Sequence, residues 1–378
     1  MRKHWIDNLR WVTVLLVLLY HVIYFYNNKG VFGGIGGFGD GPQYQDVVMY
    51  ILYPWFMPLL FLLAGASARY ALEKTDGKTW LKDRTRKLLV PSTIGLFVFH
   101  WMVGYFNTAV AAKAGTFDGM PGVAKYIMWS ISGTGPLWFI QDLWLFSLLL
   151  LLLRKLDSRN RFHAWWGKVA QGKGGICWII LLGVLFWAGE QLLIRHPRPE
   201  SPDGLYNLYK PLFYLIPFLM GYFIFSKDEV HQTLGKAWGP LLVVAGITGG
   251  ILVGTSFGQD NTSPEYLTRP LNCIYGWTAC LAMMGWFKAR FDRTGPFESY
   301  MTRASFGIYI VHYLVIASLG YMMKQYTELP PLAMYVILTI AVFTLSPLLY
   351  ELLRRIPFVR WCVLGEGKRV TESLQGRA

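Results

Sequence analysis

Residues 10–26 read RWVTVLLVLLYHVIYFY: a cation, ten uncharged and mostly apolar residues, then a histidine. A stretch of this length and polarity is a membrane-crossing helix, since a bilayer core takes roughly 20 predominantly apolar residues. Working outward from this segment, near 9–27, comparable runs recur near 46–70, 88–107, 136–153, 174–195, 205–226, 238–257, 268–288, 304–323 and 332–352. The chain of 378 residues is 54% hydrophobic, 16% aromatic and only 15% charged, which removes it from the soluble globular range. The fold class predicted is all-α, a polytopic transmembrane helix bundle of about ten spans. Loops are too short for a soluble domain, so residues 1–378 are read as a single integral-membrane domain. The first span follows a basic start but no small-residue cleavage site comes after it, so it is read as retained rather than as a signal peptide.

A net charge of +14 would suggest nucleic acid in a soluble protein. Here its placement argues otherwise. Arg2, Lys3, Arg10, the run Lys82 to Lys87, the 154–173 loop, Lys288 to Arg303 and the tail from Arg354 to Arg377 fall on one side of the expected membrane. The positive-inside rule accounts for that bias, with the lipid bilayer as partner, no nucleic acid, and both termini cytoplasmic. Cys177, Cys273, Cys280 and Cys362 show no metal-ligand or redox spacing and read as packing residues; no metal is expected. Most Trp and Tyr residues flank spans and read as an interfacial belt. No internal repeat is evident, which weakens a secondary-transporter reading.

Two motif matches fail on context. GIGGFG at 34–39 satisfies G-x-G-x-x-G but lies between two membrane helices, with no strand before it. GTSFG at 254–258 satisfies G-x-S-x-G, yet Ser256 ends a hydrophobic helix instead of forming a strand-to-helix elbow. The sequon Asn261-Thr262-Ser263 is expected to face outward.

Ionisable residues at membrane depth are costly and normally face the protein interior or a water-filled cavity, where they often mark function. The candidates are His21, His100, Asp142, Glu190 and His312, at mid-depth or in the outer half. Eleven residues make close to three helical turns, so Arg10 and His21 project from one face, about 16 Å apart along the axis. That face joins the inner surface to the membrane centre. A neutral imidazole takes a proton near pH 7 and suits general-base work; the competing role is a cross-helix hydrogen bond that only holds the bundle together. Asp142 and Glu190 either orient an imidazole, bind a sugar-like substrate, or pair with Lys210 or Arg269. Arg84, Arg86 and Lys87 in KDRTRKLLVP, at the cytoplasmic start of the third span, either set topology alone or supply donors to a phosphate-rich ligand.

These residues resemble a known family. RWVTVLLVLLYH resembles the basic residue, ten residues, then His signature in the first helix of the acyltransferase type 3 family, and DRTRKLLVP resembles its Arg-x-x-Arg segment. MPLLFLLAGASARY, GPLWFIQDLW and SFGIYIVHYLVI are similar to further landmarks, in the same order across nearly the whole chain. RKLLVP and LWFI resemble the branch that includes the periplasmic-glucan succinyltransferases. The chain departs from the pattern where Lys87 replaces the second Arg, Ala64 a serine and Pro136 a histidine.

The resemblance implies an integral-membrane O-acyltransferase of the bacterial cytoplasmic (inner) membrane. Its donor would be acyl-CoA, acetyl-CoA or succinyl-CoA, with phosphates held by Arg84, Arg86 and Lys87 and positioned by Arg10. His21 would act as general base or as acyl carrier toward a hydroxyl of an extracytoplasmic glycan or other hydroxylated acceptor. Asp142, Glu190, His312, Tyr313 and Trp138 would support the acceptor side. The competing class is a proton-coupled transporter or flippase, in which the same buried groups relay protons; a non-catalytic scaffold is the third.

Overall fold

The structure, a computed structural model, describes residues 3–27, 34–39, 41–110, 119–155, 157, 159–194 and 210–367. Every regular element among them is helical. In chain order these are α1 (His4–Phe25), α2 (Val47–Leu72), α3 (Gly77–Arg84), α4 (Trp101–Val110), α5 (Gly122–Ser132), α6 (Trp138–Leu153), α7 (Arg161–Gln171) and α8 (Gly175–Leu193). They continue with α9 (Pro211–Phe223), α10 (Asp228–Ser256), α11 (Pro264–Leu267), α12 (Pro270–Arg290), α13 (Pro296–Tyr326), α14 (Pro331–Leu353) and α15 (Pro357–Cys362). Seven of the described helices are long and apolar enough to cross a membrane: α1, α2 with the turn before it, α6, α8, α10, α13 and α14.

The three other expected spans take different forms. α9 is apolar but only 13 residues long. α12 has 21 residues but carries Asn272, Thr278, Lys288 and Arg290 among them, and packs between α2 and α10. The third expected span is broken. Pro91 lacks an N–H and its ring crowds the preceding turn, which a regular α-helix cannot absorb. The chain widens on both sides, with Val90 N–H reaching the Thr85 carbonyl and Gly95 N–H the Val90 carbonyl, each over five residues.

Burial ranks the helices. The apolar window of α2 is 78% buried inside the protein, whereas that of α10 is only 17% buried although it too is strongly apolar. Val243, Ile247 and Ile251 of α10 face outward. Apolar side chains in that position are compatible with a hydrocarbon solvent rather than water. α2 therefore forms the centre and α8, α10 and α14 the periphery.

α2 and α9 approach until backbones touch. A Cβ on Gly65 would lie 1.9 Å from the Phe218 carbonyl oxygen, and one on Gly221 2.1 Å from that of Leu62. Small residues permit such contact in membranes, where packing rather than hydrophobic expulsion holds helices together. Gly65→Leu is expected to separate α2 from α9 and to abolish recovery of monodisperse protein on size-exclusion chromatography in detergent; recovery equal to the parent would refute this packing.

Both described ends of the chain lie at one end of the bundle, hereafter the basic end. There Lys3 pairs with Asp228, Trp5 N–H donates to Asp292 at 3.2 Å, and Asn8 donates to the carbonyls of Phe291 and Arg293 at 2.8 Å each. Cys362, Val363 and Leu364 after α15 are buried, and Gly365, at a φ of +64°, passes against the backbone of Arg86 and Lys87. Cys273 and Cys280 are likewise buried, while Cys177 is exposed and so departs from the packing role expected of it.

Candidate active site

α1 and α13 bring together two histidines that are 291 residues apart in sequence: His21 Nδ1 lies 2.9 Å from His312 Nε2. His312 Nδ1 lies 2.6 Å from the Tyr309 carbonyl oxygen. A carbonyl only accepts, so His312 Nδ1 carries a hydrogen and, in the neutral ring, Nε2 is the lone pair. His21 Nδ1–H must then donate to it. This fixes the His21 tautomer and leaves its Nε2 as the basic nitrogen. A hydrogen-bonded partner that orients an imidazole in this way is a general feature of acid–base and nucleophilic sites. Tyr313 packs edge-on to the His21 ring, with centroids 5.4 Å apart at 89°. The Tyr309 hydroxyl donates to the Pro136 carbonyl, tying α13 to the start of α6.

His21 lines a cavity of about 520 Å³ that runs from Val17, one turn nearer the basic end, to Thr262 in a loop at the opposite end. Tyr20, Tyr24, Tyr53, Trp138, Tyr214, Tyr309 and Tyr313 share its wall. Trp138 and Tyr313 are among the expected acceptor-side residues. The other five carry no individual signal in the sequence, where most Trp and Tyr residues read as an interfacial belt, and their grouping around one histidine is visible only once α1, α2, α9 and α13 are packed. Periodicity within α1 could have signalled Tyr20 and Tyr24, which flank His21.

At the basic end Arg10 donates to Asp7 at 3.2 Å and to the Ser67 hydroxyl of α2 at 2.5 Å. Arg84 is its like-charged neighbour. Half-buried, Arg84 stacks on the Trp80 ring with 5.1 Å to the centroid, and it makes no side-chain hydrogen bond or ion pair with the described residues. Burial, then the Arg10 charge, lower its pKa to about 10, so it remains a cation at neutral pH. Arg86 pairs with Asp83 at 3.0 Å while its Nε is buried without a partner among the described residues. Burial and the neighbouring Arg84 and Arg86 lower the pKa of Lys87. Two guanidiniums forced near one another, one lacking a counter-ion, suit an anionic ligand with several oxygens. Ser67 and Trp80 were not singled out in the sequence.

The structure does not bring the remaining candidates to the cavity wall. Asp142 sits on α6 behind it with Oδ2 unpartnered among the described residues, near Tyr309 and Tyr214. Glu190, 3% exposed on α8, is near Lys210, whose ammonium donates to the Tyr53 hydroxyl at 2.9 Å. His100 is buried near His312, with both ring nitrogens unpartnered among the described residues. Ser256 is buried at the end of α10, where Arg269 donates to it at 3.3 Å. The glycine-rich 34–39 stretch wraps the Lys324 ammonium, which donates to the carbonyls of Ile35, Gly36 and Gly37 at 3.1, 2.6 and 2.9 Å. Asn261 is only 2% exposed, so the sequon's asparagine side chain is buried although its loop lies at the end opposite the basic one.

The family model described as an acyltransferase domain, that of the acyltransferase type 3 family, matches residues 3–351. No curated protein and no solved structure matches the chain. The matched region takes in both histidines, the whole cavity wall and the Arg10–Arg84 pair, and with seven apolar helices of membrane-crossing length the chain is an integral-membrane protein. The chain belongs to the acyltransferase type 3 family and is a membrane acyltransferase.

Proposed function

We propose that this acyltransferase moves an acyl group from acyl-coenzyme A to a hydroxyl of an extracytoplasmic glycan or other hydroxylated acceptor. The observation that supports it most is the His21–His312–Tyr309 hydrogen-bond chain, which leaves a basic nitrogen on a residue of the cavity wall. The basic end is cytoplasmic in this reading, with both termini there and the protein in a bacterial inner membrane, because the cations collect at that end. Arg84, Arg86 and Lys87 hold the donor phosphates, and Arg10, fixed by Asp7 and Ser67, positions the donor. Acetyl or succinyl is the group carried.

The chemistry follows from the tautomer. As the acceptor oxygen bonds to the thioester carbonyl carbon, His21 Nε2 takes the hydroxyl proton; the carbon–sulfur bond then breaks and the imidazolium returns that proton to the thiolate. His312 accepts from His21 Nδ1 throughout and stabilises the imidazolium. The same nitrogen serves the alternative course, in which it attacks the carbonyl carbon itself, releases the thiolate, and passes the acyl group on to the acceptor. Neither course needs a metal.

Calorimetric titration of the detergent-purified protein with coenzyme A and with acetyl-coenzyme A tests the donor. Saturable binding of both is expected. Well-folded protein that binds neither, yet couples proton flow to solute uptake in liposomes, would replace this reading with transport.

A further inference from the structure

In the cavity wall Tyr20 stacks with Tyr24 (centroids 5.8 Å apart, 22°) and with Tyr53 (5.8 Å, 21°). Among the described residues no Asp, Glu, Lys or Arg lines the cavity. A charged acceptor would enter without a counter-ion, at a high desolvation cost. Recognition therefore falls to neutral polar groups, and two of them are poised to accept hydrogen bonds.

The first is Asn107, at the end of the broken third segment. It lines the cavity, and its buried Oδ1 has no partner among the described residues. The second is Thr262. Its loop is bent into the bundle: the Tyr50 hydroxyl donates to the Gln259 carbonyl at 2.6 Å, Asn261 is buried beside the Tyr20 hydroxyl, and Ser263 caps α11. Asp260 accepts from the Thr262 N–H at 2.8 Å and from its hydroxyl at 2.7 Å. Because the Thr262 proton is committed to Asp260, its oxygen offers lone pairs only. Two hydrogen-bond acceptors in a cavity lined by aromatic rings fit a ligand with several hydroxyl donors and an apolar C–H face.

We propose that Asn107 and Thr262 determine acceptor specificity, accepting hydrogen bonds from the hydroxyls of a neutral hexopyranose whose ring lies along the tyrosine wall. This rests on the reading of the cavity as the acceptor site of an acyl-coenzyme A-dependent enzyme. It assigns a substrate-reading role to an outer loop and to the end of the third segment, neither of which holds His21.

The test uses detergent-purified protein with acetyl- and succinyl-coenzyme A as donors and methyl β-glucopyranoside, cellobiose and maltose as acceptors. Asn107→Leu and Thr262→Val are each expected to raise the acceptor KM about tenfold or more, since an unpaired hydroxyl is then left in the site. Thr262→Ser, which keeps the oxygen, should stay near the parent. Coenzyme A affinity, read by calorimetry, reports on folding and on the donor site separately. An unchanged acceptor KM overturns the proposal. So does a parallel loss of coenzyme A binding, which would make both residues structural. Parent protein that binds coenzyme A but acylates none of the three sugars overturns it while leaving the proposed function standing; parent protein that binds no coenzyme A removes both.

Discussion

His21→Asn is expected to lower acyl transfer by about 10²–10⁴-fold, the range spanned by loss of a positioned general base. Asparagine keeps a side-chain N–H near the place of Nδ1, so the bond to His312 Nε2, 2.9 Å long in the parent, can be re-formed and α1 kept against α13. What the substitution removes is Nε2. The loss is thus in chemistry, and size-exclusion behaviour and coenzyme A binding should match the parent. His312→Phe makes the complementary change. It deletes the acceptor that fixes the His21 tautomer but leaves the base in place, so a smaller fall in kcat with a displaced pH–rate profile is expected. Incubation with acyl-labelled donor and no acceptor separates the two courses. Label retained on the parent and absent from His21→Asn marks a covalent acyl-histidine; transfer at full rate with no retained label marks direct attack. A His21→Asn protein that transfers at the parental rate would sink both.

The helical membrane class was legible because the signal is compositional: apolar runs of bilayer length leave few alternatives. Where a run was interrupted by local chemistry, the sequence did not show the form it would take. The stretch 88–107 looks like a span by hydropathy, yet Pro91 and the wide turns around it break the helix, and hydropathy is blind to hydrogen-bond register. His21 stood out because a lone imidazole among leucines is costly. Its partner could not be derived, since the contact with His312 spans 291 residues and depends on how α1 meets α13. Tyr20, Tyr53 and Tyr214 were hidden for the opposite reason: in a chain rich in aromatic residues, one that lines a cavity has the same local sequence signature as one in an interfacial belt. Asn261 shows the limit of motif matching, for its sequon is intact and its side chain is buried.

Arg84→Ala is expected to weaken coenzyme A binding by about 10- to 100-fold, the equivalent of losing one or two charge-assisted hydrogen bonds of roughly 1.5–3 kcal/mol in total. What Arg84 lacks among the described residues marks it as a ligand-facing cation. An arginine kept for the fold normally has a carboxylate or carbonyls within reach, as Arg69 has in Glu73 at 2.9 Å and Asn160 at 3.1 Å. Among the described residues Arg84 has the Trp80 ring and like-charged neighbours in Arg10 and Lys87, and no hydrogen-bond or ion-pair partner. Removing it deletes a repulsion along with a cation–π contact worth about 0.5–1 kcal/mol at such a site, so thermal stability should fall little or rise. Arg69→Ala should do the reverse, lowering stability with little effect on coenzyme A affinity. The pair of variants thus distinguishes a ligand-facing cation from a structural one. Equal affinities for parent and Arg84→Ala would move the donor phosphates elsewhere, and a large fall in Tm with no change in affinity would make Arg84 a structural residue.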